Sequence, residues 1–206
     1  GNTGSGTHNV TVDTGLPSVS FNAISDDNVL NAVEKGQDLR VSGTSANLAE
    51  GTVVTVTLNG KNYTATTAAD GTWSLTVPAA DLAGLGQANY TLNATATNGV
   101  GNSVSNTANL LVDTALPTVT INTVAGDNVI NAAEVAAGQT LSGKVTNAEA
   151  GNTVTVTIGG NTYTATVQSD LTWSVNVPES VLTALGNGDL TVSATVTNGH
   201  GNTGTG

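Results

Sequence analysis

The sequence predicts an all-β chain with two similar sandwich domains in tandem, and three observations carry this prediction. Short segments alternate threonine with valine, as in TVVTVTL at 52–58, which is typical of strands with one face on a core and one in water. Turn dipeptides follow such segments about every 8–12 residues. Residues 13–106 also match residues 113–206 at 42 of 94 positions without an insertion, and this period is typical of one domain.

The predicted strands are bounded by residues that turn or end the chain. Asn59-Gly60 favours the positive φ angles of a two-residue hairpin turn, and Gly159-Gly160 replaces it in the second repeat. Asp70-Gly71 predicts another turn, and Pro78 ends the following strand because it has no N–H for the ladder. A short helix is expected at 79–86. The strands of the first repeat are expected at 18–24, 38–45, 52–58, 61–67, 72–78, 90–97 and 103–112.

About seven short strands per repeat, in a chain without cysteine, indicate tandem β-sandwiches of the immunoglobulin type without its disulfide. Trp73 and Trp173 are expected to anchor the two cores. The predicted boundaries are 1–12 for the last strand of a preceding repeat, 13–112 for a first repeat, and 113–206 for a second repeat that stops before its last strand. The orphaned strand THNVTV (7–12) is expected either to stay loose or to complete the second repeat of a neighbouring chain.

The composition excludes several classes of function. Fifteen acidic and four basic residues give a net charge of −11, which disfavours nucleic acid and anionic membranes as partners and favours a divalent cation. No apolar run approaches the ~20 residues of a membrane span. The motifs of nucleophilic catalysis, metalloproteases and phosphate loops are absent, so we do not expect an enzyme.

Four pairs of acidic residues keep their positions in both repeats: Asp13/Asp113, Asp27/Asp127, Glu34/Glu134 and Asp70/Asp170. The loops DDNVLNAVE (26–34) and GDNVINAAE (126–134) hold two of these pairs, with amides between them. Carboxylate, amide and backbone oxygens are the ligands of Ca²⁺. We predict one calcium site at the junction of the repeats and a matching site at the front of the chain. The first would use Asn98, Asn102, Asp113, Asp127 and Glu134; the second would use Asn2, Asp13, Asp26, Asp27 and Glu34.

The same residues have a purely local interpretation. Asn and Asp cap turns and helices, and SDDNVLNAVE would serve equally as the start of a helix with its cap. NGVGN at 98–102 would serve as a plain hairpin loop. His8 and His200 are interpreted as unpaired surface residues, because a zinc or transition-metal site needs several such ligands.

Taken together, the segments VDT-LP-V-IN, GDNVINAAE, GTVVTVTLNG, ADGTW-LTVP and ATATNG-GN resemble the bacterial Ig-like repeats of giant, type I-secreted adhesins. These are adhesins of the biofilm-associated and Salmonella giant-adhesin type, and the resemblance covers the whole chain. It implies that linker aspartates and loop carboxylates bind calcium between successive domains and stiffen a long rod. Those roles would fall on Asp13, Asp27, Glu34, Asp113, Asp127 and Glu134.

One departure from the family pattern concerns the loop before the last strand. The family usually has Asp-Ala-Ala-Gly-Asn there, whereas this chain has NGVGN and NGHGN, with neutral Asn98 and Asn198 in place of the first acid. This exchange implies weaker calcium binding at those loops.

The resemblance implies a calcium-rigidified spacer at the bacterial cell surface, secreted, with roles in cell adhesion and biofilm formation. Its partners would be neighbouring repeats of the same chain, with host-cell or biofilm surfaces contacted through other parts of the protein. The alternative is that the repeats themselves bind carbohydrate, a host surface or ice. Threonine-rich faces favour that alternative only weakly, since threonine is a common residue of solvated strands.

Overall fold

The computed structural model describes residues 1–206, which form two compact units. The first unit comprises Gly1–Val29 and Glu34–Val112, and the second comprises Leu30–Val33 and Asp113–Gly206. Each repeat folds as two antiparallel sheets packed face to face. The predicted all-β sandwich is therefore confirmed.

The first repeat has a three-stranded sheet of order β1-β3-β6 and a five-stranded sheet of order β2-β8-β7-β4-β5. Its strands are β1 (Ser18–Phe21), β2 (Val29–Leu30), β3 (Leu39–Ala46), β4 (Val53–Leu58), β5 (Lys61–Thr66), β6 (Thr72–Val77), β7 (Ala88–Thr97) and β8 (Ser103–Val112). A 3₁₀ turn at Glu34–Gly36 and helix α1 at Ala79–Leu82 complete it. All seven predicted strands are present; the two-residue β2 was not predicted.

The second repeat has sheets of order β13-β10-β9 and β12-β11-β14-β15. Its elements are β9 (Thr118–Ile121), α2 (Ala132–Ala137), β10 (Gln139–Thr146), β11 (Thr153–Ile158), β12 (Asn161–Thr166), β13 (Thr172–Val177), α3 (Glu179–Leu185), β14 (Val192–Thr197) and β15 (Thr203–Thr205). β15 corresponds to the first three residues of β8 in the first repeat, and the predicted repeat boundaries stay a prediction. Residues 1–17 carry no strand.

The turns follow the predicted chemistry. Asn59 and Gly60 have φ angles of 48° and 79°, and Gly159 and Gly160 have 54° and 78°. Both pairs join strands in tight register, with Leu58 opposite Lys61 and Ile158 opposite Asn161. Two consecutive positive φ angles match the right-handed twist of the flanking strands, so the hairpins form at the predicted dipeptides.

The cores consist mainly of small aliphatic side chains around one tryptophan in each repeat. Trp73 is 2% exposed and Trp173 is 1% exposed. The indole Nε1 of Trp73 donates to the Thr44 carbonyl at 3.2 Å, and Phe21 meets its ring edge-on with centroids 5.5 Å apart. In the second repeat the Trp173 Nε1 has no hydrogen-bond partner, and isoleucine replaces the phenylalanine.

No helix of the chain is long and apolar enough to cross a membrane; the longest, α3, has seven residues.

We expect Leu171→Gly to raise the free energy of unfolding of the second unit by about 1 kcal/mol. Leu171 has a φ of 63° at the position that Gly71 occupies in the first repeat, and a side chain is strained in this left-handed conformation. Thermal unfolding of the variant measures the change. Leu171→Ala is the matched control, because it removes the side chain and keeps the strain; a gain as large in that control would contradict the argument.

Candidate functional site

Two short loops rich in asparagine are the candidate functional features. They connect β7 to β8 (98–102) and β14 to β15 (198–202), and we call them the asparagine loops. In each, the first asparagine folds the loop: Asn98 Oδ1 accepts the Asn102 N–H at 2.9 Å, and Asn198 Oδ1 accepts the Asn202 N–H at 2.9 Å. This leaves the Nδ2 amide groups available as donors to other segments.

The first asparagine loop holds the segment that precedes the first sandwich. Asn102 Nδ2 donates to the carbonyl oxygens of Asp13 at 3.3 Å and Gly15 at 3.2 Å. Asn98 Nδ2 also donates to the Gly15 carbonyl, at 3.3 Å. Asp13 shapes that segment itself, because its Oδ1 accepts the Gly15 N–H at 2.8 Å.

The second asparagine loop makes stronger and more buried contacts. Asn202 Nδ2 donates to the Asp113 carbonyl at 2.9 Å, and Asn202 Oδ1 accepts the Ala32 N–H at 2.8 Å. Asn198 Nδ2 donates to the Asn147 carbonyl at 3.2 Å. Asn202 is 1% exposed and Asn198 is 7% exposed, so their amides serve structure rather than solvation.

His200 joins this loop to the linker carboxylate. Its Nδ1 lies 2.6 Å from Asp113 Oδ2; because an ionised carboxylate only accepts, Nδ1 carries the proton. The pKa of Asp113 lies below its ordinary value, first because Asp113 accepts the Ala115 N–H and second because it accepts from His200. The interpretation of His200 as unpaired was therefore wrong. The first repeat gave no signal for this contact, since it has Val100 at the matching position.

The two asparagine loops contact different predicted aspartates. Asn98 and Asn102 contact the segment of Asp13, and Asn202 binds the Asp113 carbonyl. The physical reason is topological. The last strand of a sandwich leads out toward the next repeat, so the loop before it lies at the opposite end, beside the repeat's own entry segment. The predicted calcium sites themselves stay a prediction.

The remaining predicted ligands make mostly local hydrogen bonds. Asp27 Oδ1 accepts the Val29 N–H at 2.8 Å, and Asp127 Oδ1 accepts the Val129 N–H at 2.9 Å. Glu134 accepts the Asn131 N–H at 2.8 Å and completes a capping box at the start of α2. The local, helix-capping interpretation thus describes the second loop.

Of the other predicted residues of the front site, two line a cavity and one is exposed. Asp26 and Glu34 line an open polar cavity of about 360 Å³ together with Asp38 and Arg40. Asn2 lies exposed in the segment that precedes the strands.

The oxygens at the asparagine loops suit calcium by type, though their number is small. Asp13 supplies one carboxylate at the first loop. At the second, Asp113 supplies one, and Glu149, whose Oε2 accepts the Gly199 N–H at 3.1 Å, supplies another. No group of three or more His, Asp or Glu side chains in residues 1–206 is arranged so that it could hold a metal ion by itself. Since Ca²⁺ takes six to eight oxygens, these residues fit only a weak site completed by backbone carbonyls and water.

A second polar cluster lies on the first sandwich, at the exposed side of α1. Asp81 accepts from Lys61 Nζ at 2.6 Å and from the Tyr63 hydroxyl at 2.9 Å. Burial, and secondly the contact with Asp81, raise the pKa of Tyr63 to about 12. The three residues form a hydrogen-bonded network at the surface of the first sandwich.

We expect Tyr63 to ionise near pH 12 and to stabilise the fold at lower pH. The neutral phenol is favoured in the folded state, so this contribution is complete below the unfolded pKa of about 10. It is lost as the pH rises through about 12. The difference in tyrosinate absorbance between the wild-type chain and Tyr63→Phe isolates this group. Asp81→Asn should lower its pKa; a midpoint near 10 in the wild-type chain would contradict the contact.

No family model matches the chain, and no curated protein matches it. Solved structures do. A 1.5-MDa bacterial ice-binding adhesin, in a structure concerned with host cell surface retention, matches with 30% identity and a TM-score of 0.59 over 94% of this chain and 64% of that one. A Ca²⁺-stabilised adhesin that helps an Antarctic bacterium reach out and bind ice matches with 37% identity and a TM-score of 0.62, over 97% of this chain and 50% of that one.

A third match is a single bacterial immunoglobulin-like domain from the M. primoryensis ice-binding adhesin. It is 38% identical over 97% of its own length and 48% of this chain, with a TM-score of 0.36. This chain thus spans 64% of the first structure and 50% of the second. It spans 97% of the single domain. The first two structures, at 30% and 37% identity, carry the likeness. This chain therefore belongs to the bacterial Ig-like repeats of large adhesins.

Proposed function

We propose that this chain is a structural spacer of a large bacterial adhesin, secreted to the cell surface, where tandem sandwiches hold an adhesive part of the protein away from the cell. One observation carries the proposal: each sandwich binds the segment that leads into it through buried or half-buried asparagine amides. Each sandwich is thereby tied to the chain segment that enters it, a property that suits a spacer. The direct partners are then neighbouring repeats of the same chain.

The distribution of aromatic side chains favours a spacer over a ligand-binding module. Trp73 and Trp173 are buried, and Phe21 packs on Trp73. A carbohydrate site usually presents aromatic faces to solvent, whereas this chain keeps its largest rings inside. The absence of catalytic motifs likewise favours a non-enzymatic role. Adhesion to host or biofilm surfaces would belong to other parts of the protein.

We propose that calcium is the ion that stiffens the chain. The proposed ligands are the acids Asp13, Asp26, Asp27, Glu34, Asp113, Asp127 and Glu134, with Asn98 and Asn102. The related Antarctic adhesin is Ca²⁺-stabilised, and the oxygens here are of the right type. With few carboxylates at each asparagine loop, we expect a dissociation constant of about 0.1–1 mM, as in extracellular modules. Calcium bound only to the folded, docked form would stabilise it by mass action.

The test is to measure solution scattering and thermal unfolding with calcium and with a chelator. At ten times the dissociation constant, calcium should add about 1.4 kcal/mol, which corresponds to several degrees in the melting temperature. The maximum dimension should also be larger with calcium. If the dimension stays large in chelator, the spacer depends on the asparagine contacts alone; if the chain is compact under both conditions, the spacer role itself fails.

We expect Asn198→Asp to make stability depend more strongly on calcium. In chelator the carboxylate cannot donate to the Asn147 carbonyl and adds charge to a loop that already contacts Asp113 and Glu149, so unfolding should cost about 1–3 kcal/mol less. With calcium the added carboxylate restores part of this loss. Asn198→Ala is the control, because it loses the same hydrogen bond and gains no ligand. Equal calcium responses in the two variants would exclude a cation at this loop.

A further inference from the structure

The strand β12 forms an unpaired edge of the four-stranded sheet in the second repeat. It pairs with β11 on one side and lies at the end of the order β12-β11-β14-β15. Ile158 stands opposite Asn161 across the two-residue turn, and the Val167 N–H donates to the Asn152 carbonyl at 2.9 Å. The odd-numbered residues of β12 therefore bond to β11, and the even-numbered residues direct their backbone groups away from it.

Most of these outward backbone groups make no hydrogen bond within the chain. The N–H and C=O groups of Thr162 and Thr164 have no partner, and the Thr166 N–H has none either. The Thr166 carbonyl alone is bonded, because Gln168 Nε2 donates to it at 2.9 Å. The side chains of all three threonines are exposed. An edge with free donors and acceptors is a template for a further strand.

The matching edge of the first repeat is protected by charge. Lys61 begins β5, its Nζ lies 2.6 Å from Asp81 of α1, and the Tyr63 hydroxyl donates to the same carboxylate. Lysine on an edge strand is a common protection against edge-to-edge pairing, because a strand laid beside it must remove water from the charge. The second repeat has Asn161 and Val181 at the positions of Lys61 and Asp81, so β12 lacks this protection.

The charge distribution favours a second copy of this edge as the partner strand. The chain has a net charge of −11, so two copies repel each other wherever acidic residues meet. Residues 151–169, which contain β11 and β12, include no charged residue. Tyr163 and Val181, beside this edge, are half-buried against the second core. Two copies can therefore approach along β12 without bringing acids together.

The strand β12 is also complementary to itself. When two copies of the strand run antiparallel about a two-fold axis, Thr164 stands opposite its own copy and Thr162 stands opposite Thr166. Cross-strand threonine pairs of this kind stabilise sheets. The chain already uses such pairs, since the hydroxyls of Thr197 and Thr203 lie 2.8 Å apart on β14 and β15. The register that pairs the free backbone groups thus also pairs threonine with threonine.

We propose that β12 pairs with β12 of a second copy of this chain, antiparallel and about a two-fold axis at Thr164. The two four-stranded sheets then form one continuous sheet. Both copies use the same patch, so the assembly closes at a dimer. This contact goes beyond the spacer role, because it joins separate molecules side by side. Together with the spacer proposal, on which this consequence rests, the antiparallel pairing suits chains that enter from opposite directions, as from two facing cells.

The experiment is sedimentation of the 206-residue chain in chelator from about 1 µM to about 1 mM, a range that spans weak complexes. The mass should rise from 20.3 kDa to twice this value and no further. Because two copies repel each other, the dimer should strengthen as salt is raised from about 0.05 M to about 0.5 M. Thr164→Pro should abolish the rise, since it removes an outward N–H and spares the pairing with β11. Thr64→Pro, the same change on β5, should retain the rise.

A second variant tests the role of the missing charges. Asn161→Lys with Val181→Asp introduces the ion pair of the first repeat beside β12, and it should weaken the dimer by about tenfold or more. Amide exchange identifies the strand directly. The N–H groups of Thr162 and Thr164 should exchange fast in dilute solution and slowly in the dimer. Circular dichroism of each variant checks that the fold is kept.

Several results would overturn the proposal. The chain would stay monomeric at all concentrations, or folded Thr164→Pro or the Asn161/Val181 variant would associate like the wild type. Loss of the dimer in Thr64→Pro would assign the contact to β5 instead. Slow exchange of the Thr162 and Thr164 amides in the monomer would mean that these groups are already bonded within the chain. Since all these measurements are made in chelator and concern two copies, their failure leaves the spacer proposal and its calcium test unaffected.

Discussion

Trp73→Ala is expected to lower the free energy of unfolding of the first unit by about 4 kcal/mol, the largest loss that we expect from one truncation in this chain. Trp73 is 2% exposed in a core of otherwise small side chains, which cannot collapse into a void the size of an indole. The variant also leaves the Thr44 carbonyl without its donor and Phe21 without its ring partner. Calorimetry should show one of two unfolding transitions displaced or lost.

A conservative change at both tryptophans separates packing from hydrogen bonding. Trp73→Phe loses the bond to Thr44, whereas Trp173→Phe removes an N–H that has no partner. Both variants lose the same volume, so Trp73→Phe should cost about 1–2 kcal/mol more than Trp173→Phe. Equal losses would mean that the bond to Thr44 contributes nothing to stability.

Gly143→Ala is expected to destabilise the second unit by about 3 kcal/mol. Gly143 lies on the central strand of its sheet, between Ile121 of β9 and Trp173 of β13. An added Cβ would overlap the backbone oxygen of Thr120 and meet the Trp173 ring. A backbone oxygen cannot rotate away as a side chain can, so β9 must leave its place in the sheet or the tryptophan must shift.

The control for this substitution is Lys144→Ala on the same strand. Lys144 is exposed, so its truncation should change stability by less than about 0.5 kcal/mol. Hydrogen exchange would locate the damage: we expect faster exchange in β9 before the rest of the second unit. A melting temperature of Gly143→Ala close to that of the wild type would contradict the close packing of β9 on β10.

The sequence predicted the features that depend on neighbouring residues. Asn59-Gly60, Asp70-Gly71 and Pro78 act within a few residues of themselves, so the hairpin, the turn and the end of β6 could be placed without a structure. The capping box of Asn131 and Glu134 was equally local, and it accounts for the hydrogen bonds of Glu134, which was also considered as a calcium ligand.

The sequence could not predict contacts that depend on which end of a sandwich a loop occupies. Asn102 and Asp13 are 89 residues apart in the chain, and their contact follows from the direction of the last strand. The bond between His200 and Asp113 could not be predicted for another reason. The first repeat has Val100 at the position of His200, so the histidine is not a shared feature of the two repeats. The residues that contact each asparagine loop could therefore be identified only from the fold.

The position of the first and last strands of the first sandwich has a consequence for how the chain bears force. Asn102 contacts Asp13, and farther along both strands Asn106 Nδ2 donates to the Val19 carbonyl at 2.8 Å. The two strands therefore run side by side in the same direction, although they belong to different sheets. Tension that enters through β1 and leaves through β8 slides them past each other, so the contacts between them share the load instead of opening one at a time. The resistance of such a sandwich to pulling is then a matter of its unfolding rate under shear, which equilibrium stability does not measure.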